Sequence, residues 1–185
     1  MYEEILLETE ERMEKAVEHL VTEFRGIRSG RATPGLVENI RVDYYGTMTP
    51  LSQMAQVSVP EARVLVIKPF DLTALKEIEK ALQKSDLGIS PENDGKVVRL
   101  NLPPLSGDQR KKYAAKAKEL CEEGRVALRN LRRDANKEND ALLKDGEVTE
   151  DEHRKLQGQI QDLLKEFEKT VGDIQEAKTT EIMEN

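Results

Sequence analysis

Apolar residues recur every three or four positions along three long stretches of the chain, the spacing that places them on one face of an α-helix. The first helix is predicted over residues 2–28 and the second from Leu105 to Asp145. The third follows a turn at Asp145-Gly146, where Thr149 and Glu152 have the spacing of a capping box. None of these helices could cover its apolar stripe alone, so the pattern predicts a three-helix bundle whose second and third helices are antiparallel neighbours.

The same spacing predicts which side chains are buried in the bundle. In the first helix they are Leu6, Thr9, Met13, Ala16, Leu20, Phe24 and Ile27. In the second they are Ala117, Cys121, Gly124, Leu128, Leu131, Ala135 and Leu142, with one polar turn at Glu138. In the third they are Leu156, Ile160, Leu163, Phe167, Val171, Ile174 and Ile182, with Lys178 in the same stripe.

Between residues 31 and 104 the period shortens to the alternation that is typical of strands. Strands are predicted at residues 39–45, 47–51, 56–59, 63–67 and 96–102, and a short helix capped by Asp71 is predicted over residues 72–85. The predicted fold is therefore α+β: an elongated antiparallel three-helix bundle (1–30 and 105–185) with a small inserted β/α/β domain (31–104).

Two linkers would join the inserted domain to the bundle, one containing Gly30 and the other Pro103-Pro104. Glycine frees the backbone and consecutive prolines stiffen it, so this pair is interpreted as a hinge with restricted swing. The alternative is a rigid elbow packed by Leu36 and Leu105.

The overall net charge of −7 would argue against a nucleic-acid partner, but the charge is unevenly distributed. Residues 105–145 carry eleven Lys/Arg and eight Asp/Glu, whereas residues 1–30 and 146–185 are net acidic. Positive charge is thus concentrated on one helix, which favours a directed contact with an anionic partner. The 37% hydrophobic content, the single cysteine and the acidic helical start of the chain predict a soluble cytoplasmic protein.

Four arginines lie on one flank of the second helix: Arg125, Arg129, Arg132 and Arg133. No acidic residue occurs from Arg125 to Arg133, and each like-charged pair four residues apart costs about 0.2–0.5 kcal/mol. Either carboxylates on the neighbouring helices offset this repulsion, or a polyanion does. The use of arginine rather than lysine favours a polyanion, because the guanidinium group matches phosphate oxygens bidentately.

The sequence shows no constellation typical of an enzyme. His19 and His153 are interpreted as solvated helix residues and Cys121 as a small apolar residue of the helix seam. No phosphate-binding loop and no zinc-ligand spacing occur, so no cofactor or metal is predicted. With no Trp and seven other aromatic residues, contact with RNA would use phosphates and shape rather than base stacking.

Several long motifs resemble the ribosome recycling factor family, in order and over nearly the whole chain. They are Arg125–Asn136 (RVALRNLRRDAN), Ile27–Ala32 (IRSGRA), Val42–Gly46 (VDYYG), Ser85–Gly88 (SDLG) and Leu102–Leu105 (LPPL). The resemblance implies an L-shaped monomer with a three-helix bundle and a hinged β/α/β domain. It also implies a role after translation termination, when such a factor, with elongation factor G and GTP, splits the ribosome into subunits and releases mRNA and deacylated tRNA. The GTP chemistry would belong to the elongation factor, so this chain would not be an enzyme.

The resemblance also implies which residues meet the ribosome. Arg132 would be the most sensitive contact with large-subunit rRNA in the intersubunit space, with Arg125, Arg129 and Arg133 beside it. Arg110, Arg28 and Arg31 would extend this surface, and the small domain would face the small subunit and elongation factor G. The sequence departs from the family pattern at Ser106-Gly107, where glycine weakens the first turn of the helix that carries Arg110.

Two other interpretations remain open. In the first, the chain is a protein-binding module that grips client chains as a coiled-coil co-chaperone would, with its arginines paired internally. In the second, it is an enzyme, which would require a nucleophile or a metal set that the sequence does not show.

Overall fold

The protein is described by a computed structural model, which covers residues 2–184. The helices are α1 (Tyr2–Arg25), α2 (Leu51–Met54), α3 (Leu75–Lys84), α4 (Gly107–Lys144) and α5 (Glu150–Glu184). The strands are β1 (Arg41–Tyr44), β2 (Thr47–Pro50), β3 (Ala55–Glu61), β4 (Val64–Pro69), β5 (Glu92–Asn93) and β6 (Val98–Asn101). The predicted α+β class, with long helices and a small β unit, is confirmed.

The chain forms two compact units. The helical unit comprises the residues up to Phe24 and Ala114–Thr180, and the β unit comprises Arg25–Tyr113 and the residues from Glu181 onward. The β unit thus includes both predicted linkers and one end of each of the three helices that the sequence analysis assigned to the bundle. The domain boundaries at residues 30 and 105 remain a prediction.

All three long helices contribute to one core in the helical unit. Ile5 of α1, Ala135 of α4 and Leu156 and Ile160 of α5 form a single buried cluster. One position in each of two predicted stripes is off by one residue, because Ile5 is buried more deeply than Leu6, and Leu164 more deeply than Leu163. Both pairs are adjacent apolar residues at the edge of a stripe, where spacing alone does not separate them.

The polar position in the seam of α4 is Asn139, not the predicted Glu138. Asn139 is fully buried, and its side-chain nitrogen donates to the backbone carbonyl of His153 at 2.9 Å, whereas Glu138 is exposed. The prediction that His153 is solvated is also wrong. Its side chain is only 15% exposed, and its Nε2 lies 2.7 Å from Asp140 Oδ1. These contacts join the end of α4 to the start of α5.

Both long helices of the second half begin with a capping box. The predicted box at α5 is confirmed, since Thr149 N donates to Glu152 Oε2 at 2.8 Å and Glu152 N donates to Thr149 Oγ1 at 3.3 Å. The hydrogen bond from the Thr149 amide lowers the pKa of Glu152. At α4, Ser106 N donates to Gln109 Oε1 at 3.0 Å and Gln109 N donates to Ser106 Oγ at 3.2 Å. This cap offsets the weakness that Gly107 brings to the first turn.

The β unit contains a four-stranded antiparallel sheet of order β3-β4-β6-β5 and a separate β1-β2 hairpin. Its core contains the fully buried Leu65 and Ile67 of β4, Ile78 of α3 and Leu100 of β6. Sequence analysis missed α2 and β5, whose four and two residues are too short for a periodic signal.

Asp71 ties the hairpin to the segment that precedes α3. It accepts from Tyr44 Oη at 2.8 Å and from the Thr73 amide and hydroxyl at 2.9 and 2.7 Å. These donors, Thr73 first, lower the pKa of Asp71, while the carboxylate raises the pKa of Tyr44. The predicted cap at Asp71 is confirmed, although the helix opens with a 3₁₀ turn over Leu72–Ala74.

Gly35 is a site where an added methyl group has no room. A Cβ there would lie 2.7 Å from Arg25 Cβ and 3.2 Å from the Arg25 carbonyl oxygen. We therefore expect Gly35→Ala to lower the free energy of unfolding by about 1–3 kcal/mol, measured by urea denaturation. Gly158→Ala, in open space on α5, is the control and should raise stability by up to about 1 kcal/mol. Equal effects of the two substitutions would contradict this account.

Candidate nucleic-acid interface

The arginine face, defined as Arg125, Arg129, Arg132 and Arg133, lies on α4, one continuous helix of 38 residues. Its members recur at three- and four-residue steps, so a helix of 3.6 residues per turn keeps them on one flank. Arg133 is exposed and the other three are half-buried. A continuous helix is a rigid support, which fixes the relative positions of the four backbone sites that carry these cations.

The first half of the arginine face is paired with carboxylates. Glu122 bridges two arginines, with Oε1 at 3.0 Å from Arg129 Nη2 and Oε2 at 3.5 Å from Arg125 Nη1. Arg129 Nε also lies 3.5 Å from Glu168 Oε1, and Arg125 Nη2 donates to Gln175 Oε1 at 2.8 Å. The hydrogen bond between Arg129 and Glu122 lowers the pKa of the carboxyl and raises the pKa of the guanidinium.

The second half of the face is not neutralised in this way. Arg132 Nη1 donates to the neutral side chain of Gln161 at 3.2 Å, and Arg133 is exposed to solvent. Within residues 2–184, no carboxylate lies within 4.0 Å of either guanidinium group. The carboxylate interpretation therefore holds for Arg125 and Arg129. Arg132 and Arg133 retain uncompensated charge, and a polyanion partner for them remains a prediction.

The other three residues predicted to contact RNA are Arg110, Arg28 and Arg31. They lie in the β unit, whereas the arginine face lies in the helical unit. Arg110 Nη1 donates to the carbonyls of Met183 and Ile182 at 2.7 and 3.3 Å, so it caps the C-terminus of α5. Arg31 is exposed. Its contact with RNA, and that of Arg110, remain predictions.

Arg28 is only 4% exposed, and its Nη2 donates to the Pro103 carbonyl at 2.8 Å. This burial argues against its predicted place on an RNA-facing surface. Sequence analysis could not detect the burial, because Arg28 follows the end of α1 and is held by a carbonyl 75 positions away.

The two predicted linkers meet through that hydrogen bond. Gly30 has φ +86°, a conformation that favours glycine, and the neighbouring Ser29 hydroxyl donates to Glu181 Oε1 at 2.6 Å. Leu36 and Leu105, which the rigid-elbow alternative invokes, are both buried. The hinge role of Gly30, Pro103 and Pro104 therefore remains a prediction.

Comparison with known proteins identifies the family. A family model described as "Ribosome recycling factor" matches residues 20–183. The chain belongs to the ribosome recycling factor family. Relatives named ribosome-recycling factor include that of Bacillus licheniformis, 47% identical over 184 residues and covering 100% of both chains. Another is that of Carboxydothermus hydrogenoformans, 49% identical over 183 residues and covering 99% of both chains.

Solved structures of the family agree with this assignment. A solution structure of the ribosome recycling factor is 36% identical, with a TM-score of 0.77, and covers 100% of this chain and 98% of its own. A second structure shows models for the T. thermophilus ribosome recycling factor and the E. coli elongation factor G bound to the E. coli post-termination complex. It is 40% identical, with a TM-score of 0.68 and 98% coverage of both chains. These names favour the recycling interpretation over a co-chaperone-like module.

Among the described residues, no helix has the length and apolar character needed to cross a membrane. In the same part of the chain, no group of three or more His, Cys, Asp or Glu side chains is arranged to hold a metal ion.

Proposed function

We propose that this chain recycles ribosomes after translation termination. It binds the post-termination ribosome in the cytoplasm and, with elongation factor G and GTP, promotes splitting into subunits and release of mRNA and deacylated tRNA. The observation that carries this proposal is the full-length match to ribosome-recycling factors. The T. thermophilus family member, described with elongation factor G on a post-termination complex, supports the choice of partners.

The uncompensated charge of Arg132 and Arg133 supports rRNA as the anchor for α4. Guanidinium groups donate two parallel hydrogen bonds to phosphate oxygens, and such charge-assisted bonds are about twice as strong as neutral ones. Phosphate contacts fix position and orientation without reading sequence. The acid-rich α1 and α5 would repel RNA elsewhere and so help to orient the factor.

In this proposal the chain acts mechanically and not as an enzyme. The elongation factor hydrolyses GTP and pushes on the β unit, and the linkers around Gly30 and Pro103 transmit this force. The bundle, held on rRNA by its arginines, is then driven against an RNA bridge between the subunits.

Light scattering tests the function directly. Purified post-termination ribosomes are mixed with this protein, a matched elongation factor G and GTP, and each component is omitted in turn. We expect scattering to fall only when all three are present. Splitting lowers the mass of the scattering particle, whereas binding alone does not. A flat signal beside a recycling factor that works under the same conditions would refute the proposal.

A further inference from the structure

Glu122 occupies an unusual position, because one carboxylate contacts two arginines of a face that is proposed to bind phosphate. Its two oxygens lie 3.0 Å from Arg129 Nη2 and 3.5 Å from Arg125 Nη1. Glu168, on α5, contacts the same Arg129 at Nε. The two glutamates therefore take up hydrogen-bond donors that a phosphate group would need.

The geometry at Arg129 shows how direct this competition is. Phosphate recognition by arginine uses two N–H groups that lie side by side on the guanidinium plane. Glu168 contacts Nε and Glu122 contacts Nη2, so one of the two phosphate-binding edges is shared between two carboxylates. A phosphate that approaches this edge must displace a carboxylate or share its donors. In either case the negative charge of Glu122 opposes the approach.

The displacement is energetically accessible. The side chain of Glu122 is 55% exposed and that of Arg129 is 42% exposed. Ion pairs at this degree of exposure contribute only about 0–1 kcal/mol, so a well-placed phosphate can replace them. Arg132 and Arg133, one turn further along α4, need no such exchange because no carboxylate of residues 2–184 pairs with them.

We propose that Glu122 and Glu168 form an intramolecular brake on RNA binding. In the free protein both glutamates pair with Arg129, and Glu122 also pairs with Arg125. Arg132 and Arg133 therefore make the initial contact with the ribosome. Close docking then exchanges the glutamates for rRNA phosphates. The brake limits affinity, which suits a factor that must leave the ribosome after each round. This inference rests on the proposed function.

Binding of purified ribosomes to the isosteric variants Glu122→Gln and Glu168→Gln tests the brake. We expect Glu122→Gln to bind about fivefold more tightly, with a dependence of log K on log salt steeper by about one phosphate contact. Glu168→Gln should act in the same direction but more weakly, because its contact is longer and involves one arginine. Urea denaturation of each variant shows whether the fold is retained.

Glu123→Gln is the matched control. Glu123 is an exposed neighbour on the same helix, about 100° further round the axis, and it pairs with no arginine of the described part of the chain. Glu123→Gln changes the net charge by the same amount as Glu122→Gln, so general attraction to RNA would raise the affinity of the two variants equally. A gain at Glu122 that clearly exceeds the gain at Glu123 supports the brake. Equal gains, no gain, or weaker binding by Glu122→Gln would overturn it.

Arg132→Ala, measured in the same titration, separates this inference from the proposed function. If Arg132→Ala weakens binding while Glu122→Gln leaves it unchanged, the arginine face binds the ribosome and the brake alone is wrong. If neither substitution changes binding, the arginine face is not the anchor, and the brake falls with it.

Discussion

Leu128→Ala is expected to lower the free energy of unfolding by about 2–5 kcal/mol. Leu128 is fully buried on α4, in the helical unit. Its truncation removes apolar contacts and leaves a cavity that long, packed helices can close only in part. Stabilities of single domains are about 5–15 kcal/mol, so this one change removes a large share. Urea denaturation followed by far-UV circular dichroism measures the loss.

Val126→Ala is the control for that loss. Val126 lies two residues away on the same helix but is 44% exposed, so its truncation should change stability by no more than about 0.5 kcal/mol. Helix propensity changes in the favourable direction, since alanine is the better helix former. Similar losses in the two variants would mean that burial at Leu128 does not hold the bundle together.

The sequence was sufficient to predict the long helices because their periodic signal runs over many turns. Amphipathic spacing predicted a helix from Leu105 to Asp145, and the structure has one from Gly107 to Lys144. Thr149 and Glu152 predicted the start of α5 because a capping box depends only on neighbouring residues. Amphipathic periodicity and capping boxes depend on residues close together in the chain, so one sequence is enough to predict them.

Contacts between distant residues were not predictable in the same way. Asn139 is buried although its neighbour Glu138 looked like the polar turn, because the seam runs seven residues from Leu128 to Ala135 and then four residues to Asn139. Arg28 is buried because it donates to a distant carbonyl. A helical wheel shows which residues share a face, but not which partner a long side chain reaches across the fold.

The arginine face illustrates both cases. Its existence followed from the spacing of four arginines on one helix, which is local. Its division into a paired and an uncompensated half was not predicted. Glu122 lies on the same helix, three and seven positions from Arg125 and Arg129, whereas Glu168 lies 39 positions from Arg129, beyond the reach of local spacing. Family resemblance gave Arg132 the leading role, and that role remains a prediction with its own test.

Arg132→Ala is expected to weaken ribosome binding by about ten- to hundredfold. Arg132 has only the neutral Gln161 as a described side-chain partner, so a phosphate can bind its guanidinium group without displacing a carboxylate. Loss of that contact should also reduce the slope of log K against log salt by about one phosphate contact. Co-sedimentation with ribosomes over a series of salt concentrations gives both quantities.

Two further variants separate the contributions of bidentate geometry and of net charge. Arg132→Lys keeps the charge but loses the bidentate geometry, so we expect its affinity to lie between those of the alanine variant and the unmodified protein. Arg12→Ala removes one positive charge from α1, where Arg12 pairs with Glu8, and should leave binding nearly unchanged. If Arg12→Ala weakened binding as much as Arg132→Ala does, net charge rather than the arginine face would govern affinity. If all three variants bound as the unmodified protein does, rRNA phosphates would not be the ligand of Arg132.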